Sequence, residues 1–413
     1  MSLATATNAS HVPAAVPLSQ QRVLVLDGLR GLAILLVMQY HFWGLLPGIV
    51  GRRSTRGLDV ELLRLFGAGW CGVDLFFVLS GFLITGILYD SRQSRSYFSS
   101  FYARRVLRVV PLYYAFLVIV LFVLPHIPSL GHGLQLEALE EVQVFYWTYT
   151  VNIANALKGL SARIPVVHSQ FWSLAIEEQF YLMWPAIVLW CADRRHLMVV
   201  CAVLVVTAFA LRCVLVLNAG FQIFDSTAGY FLLPCRIDTL AVGSFIALAL
   251  RGEPASVRRL AGTAPFVAGA SFVVLAGLYL TQERFFPTVS AVQTVGFSAL
   301  AAFFGSLLLL AVRAPSDRRL HRALANPVLR AFGKYSYALY VVHLVVAFRV
   351  MRDMGGQWWR QPVAGSYVVT NVIFSASATV ASLAIAWLCW HLLERPILGL
   401  KRYFPYGGDD ARR

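Results

Sequence analysis

The sequence predicts an all-α integral membrane protein with about ten transmembrane helices. Hydrophobic residues make up 58% of the chain and charged residues only 13%, whereas a typical soluble domain carries about 25% charged residues. The mean hydropathy is +0.67, and apolar runs long enough to cross a bilayer recur along the chain. Together these observations exclude a soluble globular protein.

Each transmembrane helix is assigned to one apolar run. The segment 144–157 is too polar for a span, and we expect it to be interfacial or re-entrant. The longest stretch outside the spans is 126–171. The predicted spans are 28–50, 69–90, 108–125, 172–191, 197–217, 229–250, 260–281, 290–313, 333–350 and 366–392.

The distribution of basic residues predicts the orientation. With the N-terminus inside, most of the 35 Lys and Arg residues lie in cytoplasmic segments, as expected for an N-in/C-in protein. The arginine-rich 51–68 loop is an exception. The net charge of +15 is thus attributed to basic loops and not to nucleic-acid binding. We expect a disordered cytoplasmic tail (1–21), one transmembrane domain (22–400) and a cytoplasmic C-terminal tail (401–413).

The six cysteines lie within apolar spans or at their ends. None forms a CxxC or a Cys/His spacing, so the sequence predicts neither a disulfide framework nor a metal site.

Arg30 and His41 lie on the first predicted span, in LDGLRGLAILLVMQYHFWG. Their separation of eleven positions is about three helical turns, which places both side chains on one face about 16 Å apart. Because ionisable groups inside a membrane helix are costly, they indicate a functional path. The alternative is a snorkelling arginine with a hydrogen-bonded histidine.

Arg105 and Arg108 form an RxxR motif in FYARRVLRVVPLYY. Residues at i and i+3 share a helix face, and arginine clusters bind phosphates through forked donors. Together with Arg30 at the same membrane edge, they would suit a polyphosphorylated ligand that enters from the cytoplasm. The alternative is a positively charged membrane anchor.

Two segments contain further candidates for substrate contact or proton transfer. Ser80 is expected near mid-span in GVDLFFVLSGFLITGIL, where it would bind a ligand or its own backbone. Glu177 and Glu178 lie in FWSLAIEEQFYLMWP, near the outer side, and point about 100° apart on a helix. A carboxylate there would orient or deprotonate a hydroxyl group, or form an ion pair with a neighbouring arginine.

Three more ionisable residues lie inside predicted spans. Arg236 and Asp238, in LLPCRIDTLAVG, form either a buried structural pair or a polar wall of the substrate pocket. His343, in GKYSYALYVVHL, would bind substrate, relay protons or contact a neighbouring helix. For Glu394 and Arg395 in LLERP, capping and anchoring at the helix end are favoured over chemistry.

These motifs, taken in order with RIDTLAVGSFIAL and LERP, resemble the membrane-bound acyltransferase 3 family over about residues 22–400. The resemblance implies transfer of an acyl group, usually acetyl, from acyl-CoA to a hydroxyl. Implied acceptors are a surface polysaccharide, lipopolysaccharide or glycolipid, or alternatively a macrolide-type natural product. It further implies a bacterial cytoplasmic membrane protein. Many members carry a C-terminal hydrolase-like domain; its absence before Arg413 favours acceptors handled by the membrane domain alone.

By the same resemblance, Arg30 and His41 match the R-x10-H pair, Arg105 and Arg108 the RxxR motif, and Glu177 the acidic position of SLxxE. The hypothesis is that acyl-CoA phosphates meet the arginines while the thioester lies near His41, which acts as general base or as transient acyl carrier. Ser80, Glu178, Arg236, Asp238 and His343 are candidate substrate contacts. No metal is implied.

A proton-coupled transporter or flippase is the competing class, because intramembrane ionisable residues also serve as proton relays. An RxxR motif aligned with R-x10-H is not required for a proton path, and this favours the enzyme.

Overall fold

The computed structural model describes residues 20–45, 57–127, 134–191, 193–217, 223–282, 285–316, 318–353 and 362–406, without the side chains of 20–23 and 351–353. Of the tail expected over 1–21, residues 1–19 lie outside the described residues, whereas 20–21 belong to the first helix. Residues 51–56 of the 51–68 loop also lie outside them, whereas Gly57–Gly67 is helical. Within them the fold is helical, with no strand beyond two isolated bridges, Leu157–Phe224 and Val363–Ser366. The prediction of an all-α protein is therefore confirmed.

Among the described residues, ten longer helices follow the ten predicted spans. They are α1 (Gln20–Leu45), α3 (Gly72–Ser91), α4 (Tyr97–Val118), α7 (Phe171–Trp190), α8 (Arg194–Leu217), α10 (Leu233–Ala249), α11 (Pro254–Thr281), α12 (Phe297–Arg313), α15 (Ser336–Asp353) and α16 (Val368–Cys389). Shorter helices are α2 (Gly57–Gly67), α5 (Leu136–Trp147), α6 (Val151–Ala156), α9 (Ala228–Phe231), α13 (Arg319–Leu324), α14 (Pro327–Lys334) and α17 (Arg395–Leu398).

Seven spans among the described helices are long and apolar enough to cross a membrane, or eight if α14 and α15 count as one span bent by 78°. The chain is thus a multi-pass membrane protein. Helix α10 has 17 residues, about 26 Å, which is shorter than a hydrocarbon core of about 30 Å. Ten spans and the N-in/C-in orientation stay predictions.

The inner helices approach each other through glycine. A Cβ atom on Gly81 of α3 would overlap the carbonyl of Leu240 on α10, and one on Gly243 would overlap that of Val78. Gly31 of α1 meets the backbone of α14 in the same way. These contacts hold α1, α3, α10 and α14 close together, as small residues do between membrane helices.

The outer helices expose apolar side chains. Phe266 and Leu280 of α11 are 79% and 76% exposed, and Leu217 of α8 is 82% exposed. Such surfaces suit lipid contact, because apolar side chains there face hydrocarbon and not water. The inner helices carry fully buried ionisable side chains, such as Asp74 of α3 and Arg236 and Asp238 of α10.

The aromatic segment 144–157 folds as the end of α5 and the whole of α6. Tyr113 and Tyr114 of α4 donate hydrogen bonds to the carbonyls of Tyr146 and Trp147, both at 2.8 Å. On the other side, Gln179 of α7 donates to the carbonyl of Tyr149 at 3.0 Å. The segment therefore fixes α7 against α4.

Candidate active site

A basic mouth opens at the N-terminal end of α1. It is a cavity of about 420 Å³, and its described lining includes six cationic side chains and one carboxylate, that of Asp27. These cations come from α1, α4, α14 and the C-terminal segment. They are Arg30, Arg104, Arg105, Arg108, Lys334 and Lys401.

The mouth arginines are held in different ways. Arg30 pairs with Asp27 at 3.2 Å, and Arg108 pairs with the buried Glu394 at 2.8 Å. Arg105 lies over the ring of Tyr181, 4.4 Å from its centre, and no carboxylate of the described residues lies within ion-pair distance of it. Glu394 was expected to act at a helix end, but the structure places its carboxylate against the RxxR motif.

The C-terminal segment forms one side of this mouth. Arg104 donates to the carbonyls of Phe404 and Lys401, at 2.5 and 3.2 Å, and its guanidinium lies 4.6 Å from the ring centre of Tyr406. Residues 401–406 of the expected C-terminal tail are thus packed against α4, and 407–413 lie outside the described residues.

A smaller chamber of about 130 Å³ continues inward from the mouth, and we call it the carboxylate chamber. It shares Arg30, Arg105 and Arg108 with the mouth and adds Ser80 and Glu177. The Ser80 hydroxyl donates to Glu177 Oε1 at 2.6 Å and accepts from the Tyr181 hydroxyl at 2.9 Å. Glu177, expected near the outer side, therefore shares a chamber with the three arginines. Tyr181 was missed by the sequence analysis.

His41 lines two further cavities. The histidine chamber, of about 150 Å³, also includes Tyr40, Trp70 and Tyr340. The aromatic vestibule, of about 540 Å³, lies at the C-terminal end of α1 and includes Tyr40, Trp43, Arg64 and Phe286. Tyr340 lines both the carboxylate chamber and the histidine chamber. The four cavities therefore follow one another from the basic mouth to the vestibule.

His343 of α15 contacts His41 directly. Its Nε2 lies 3.1 Å from Nδ1 of His41, and its side chain is fully buried. His343 is not among the residues that line the four cavities, so its expected role as a substrate contact stays a prediction.

Arg236 and Asp238 are not paired with each other, contrary to the expected structural pair. Arg236 binds Asp74 of α3 at 2.6 Å, and Asp238 binds Arg212 of α8 at 2.9 Å. Residues two positions apart lie on different sides of a helix, so each meets a different neighbour. All four side chains are fully buried and lie outside the lining of the four cavities. Their assignment to substrate binding stays a prediction.

Glu178 has a different environment from Glu177. Its Oε1 is buried without a hydrogen-bond partner in the described part of the chain, and the residue does not line the four cavities. Its role also stays a prediction. In the described residues, no group of three His, Cys, Asp or Glu side chains could hold a metal ion.

The fold and these cavities define a class: a multi-pass membrane protein with an internal series of cavities, cationic at one end and bordered by an imidazole further in. Residues 23–391 match the model of the acyltransferase 3 family, described as an acyltransferase domain. The chain therefore belongs to this family.

Curated relatives carry O-acetyltransferase names. The chain is 27% identical over 312 residues to O-acetyltransferase OatA of Staphylococcus aureus, covering 72% of this chain and 50% of the relative. It is 27% identical over 392 residues to the putative peptidoglycan O-acetyltransferase YrhL of Bacillus subtilis, covering 90% and 54%. The chain spans about half the length of these relatives. No solved structure matches significantly.

Proposed function

We propose that this protein is a membrane O-acetyltransferase that transfers an acetyl group from acetyl-CoA to a carbohydrate hydroxyl. The observation that carries the proposal is the series of cavities along α1, with Arg30 at the basic mouth and His41 in the histidine chamber. Membership of the acyltransferase 3 family and the names of the relatives support the reaction class.

The basic mouth suits the phosphates of the donor. Six cations line it against one carboxylate, and arginine forks bind phosphate through paired hydrogen bonds. The rise of about 16 Å from Arg30 to His41 along α1 is the distance over which the pantetheine arm would extend. Arg105 and Arg108 border both the mouth and the next chamber, so they would guide the arm inward.

His41 is the proposed general base, because an imidazole can accept a hydroxyl proton near neutral pH. The acceptor oxygen attacks the thioester carbonyl carbon while its proton passes to His41. The carbon–sulfur bond then breaks, and the thiolate receives that proton. Glu177 is a second candidate for the chemistry, since its carboxylate borders the carboxylate chamber through which the thioester would pass.

The aromatic vestibule is the proposed acceptor entrance. Rings of Tyr40, Trp43 and Phe286 line it together with Arg64 and Ser169. Aromatic faces suit the apolar faces of sugar rings, and the polar groups suit their hydroxyls. The peptidoglycan acetyltransferase name of one relative suggests a bacterial glycan acceptor, and hence a location in the bacterial cytoplasmic membrane.

The test is acetyl transfer in membranes that contain wild type, His41→Ala or His196→Ala. His196 is an exposed histidine that pairs with Asp193 at 3.4 Å, and it serves as the matched control. Labelled acetyl-CoA is supplied, and label is followed into polysaccharide, glycolipid and small-molecule fractions. We expect label with wild type and His196→Ala and none with His41→Ala.

Transfer retained by His41→Ala would refute the base assignment. If wild type neither transfers label nor binds acetyl-CoA, the proposed function fails and the transporter class gains support. Label in the small-molecule fraction alone would point to a natural-product acceptor in place of a glycan.

A further inference from the structure

Two histidines from distant parts of the chain form a buried pair at the proposed reaction centre. Nε2 of His343 lies 3.1 Å from Nδ1 of His41, and the ring centres are 5.0 Å apart. Phe42 and Tyr340 lie beside the His343 ring, with centres 6.3 and 5.9 Å away. The packing leaves His343 fully buried, which restricts its ring orientation.

The backbone determines which nitrogen of His343 carries the proton. Its Nδ1 lies 3.0 Å from the carbonyl oxygen of Leu339 and 2.9 Å from that of Tyr340. Carbonyl oxygens only accept hydrogen bonds, so Nδ1 must be the protonated donor. A neutral imidazole has one N–H group, and therefore Nε2 of His343 is left as an acceptor.

The neutral form of His343 is the one that suits its surroundings. A second proton would place a positive charge in a fully buried site between aromatic rings, which is costly without an anionic partner. The ion pairs of the described residues include no carboxylate at His343. The proton assignments therefore follow from the hydrogen-bond partners, as they must for histidine tautomers.

We propose that His343 is the positioning residue of His41. Because His343 Nε2 accepts, His41 must donate from Nδ1, and its own Nε2 then carries the lone pair. Nε2 is thus the nitrogen of His41 presented to the acceptor hydroxyl. This assignment rests on the proposed acetyltransferase function and adds to it the tautomer of the base.

The hydrogen bond between His41 and His343 stabilises His41 more strongly during the reaction than before it. When the acceptor oxygen bonds to the thioester carbon, its proton moves to His41 Nε2 and makes His41 cationic. A charged donor forms a stronger hydrogen bond, so His343 stabilises this form. The proton then moves from Nε2 to the departing sulfur, and neutral His41 retains its bond to His343. Loss of His343 should therefore lower kcat more than it raises KM.

The test compares His343→Gln with His343→Leu. The glutamine carbonyl can accept from His41 Nδ1, whereas leucine offers no acceptor in a similar volume. Maximal rate and half-saturating acetyl-CoA concentration are measured in membranes. We expect His343→Leu to lower the maximal rate by about 100-fold or more, without changing half-saturation, and His343→Gln to recover most of that loss.

Nitrogen NMR of histidine-labelled protein gives a readout independent of turnover. The His41 signals are assigned by their absence in His41→Gln. We expect Nδ1–H for His41 in wild type and in His343→Gln, and a weaker preference in His343→Leu, where the backbone carbonyl of Val37 is the remaining hydrogen-bond acceptor at the ring.

A wild-type His41 protonated on Nε2 would overturn the proposal, as would a folded His343→Gln as impaired as His343→Leu. If wild type shows the Nδ1–H tautomer but transfers no acetyl group, the proposed function fails while the tautomer assignment stands. If His343→Leu does not fold, the proposal is still tested by the maximal rate of His343→Gln and by the tautomer of His41 in wild type.

Discussion

Arg105 gives the clearest test of the donor mouth. Its guanidinium lines both the basic mouth and the carboxylate chamber. In contrast to Arg108, which pairs with buried Glu394, it has no ion-pair partner among the described residues. Replacing Arg108 would leave the buried carboxylate of Glu394 unpaired, so an effect on folding could not be separated from an effect on donor binding. Replacing Arg105 breaks no ion pair of the described residues.

The magnitude follows from the contacts. A hydrogen bond to a charged group contributes about 1.5–3 kcal/mol, so Arg105→Ala should raise the half-saturating acetyl-CoA concentration by about 10- to 100-fold. The contact with the Tyr181 ring contributes about 0.5–1 kcal/mol, so the loss of stability should be small. The maximal rate and half-saturation for the acceptor should change little.

The assay measures acetyl transfer against acetyl-CoA concentration, with a thermal unfolding curve for each variant in detergent. Arg259→Ala is the control, because Arg259 is an exposed cation of α11 outside the mouth lining. If Arg105→Ala impaired donor and acceptor use equally, or lowered the rate with donor half-saturation unchanged, the donor role of Arg105 would be wrong.

Two further predictions concern stability, measured as the thermal midpoint in detergent. Burial lowers the pKa of His168, outside the spans, to about 4 from its usual 6.5. As the pH falls, His168 therefore binds a proton in the unfolded chain before it does so in the folded protein. Up to about 3 kcal/mol of stability should be lost between about pH 6.5 and pH 4. An equally steep loss in His168→Gln would contradict this prediction. Gly81→Ala should cost about 1–3 kcal/mol by overpacking, because its Cβ would meet the Leu240 carbonyl. Gly277→Ala, where no atom lies within 4 Å, is the control, and equal midpoints would refute the packing argument.

The sequence indicated the helical class and placed Arg30 and His41 on the same helix. Composition and the length of apolar runs are sufficient for this, because the bilayer requires the backbone to satisfy its own hydrogen bonds. The i, i+11 spacing likewise fixes Arg30 and His41 on one face, since helical periodicity is a local property. The family resemblance, which the match over 23–391 confirms, rests on such local motifs.

Only the tertiary structure shows which of these side chains are in contact. His343 lies 302 positions from His41, and Glu394 lies 286 positions from Arg108. The expected pairing of Arg236 with Asp238 was wrong, because each forms an ion pair with a residue of a different helix. Which side chains meet depends on how closely neighbouring helices approach, as at Gly81 and the Leu240 backbone. A local pattern names candidate residues, but only packing brings them into contact.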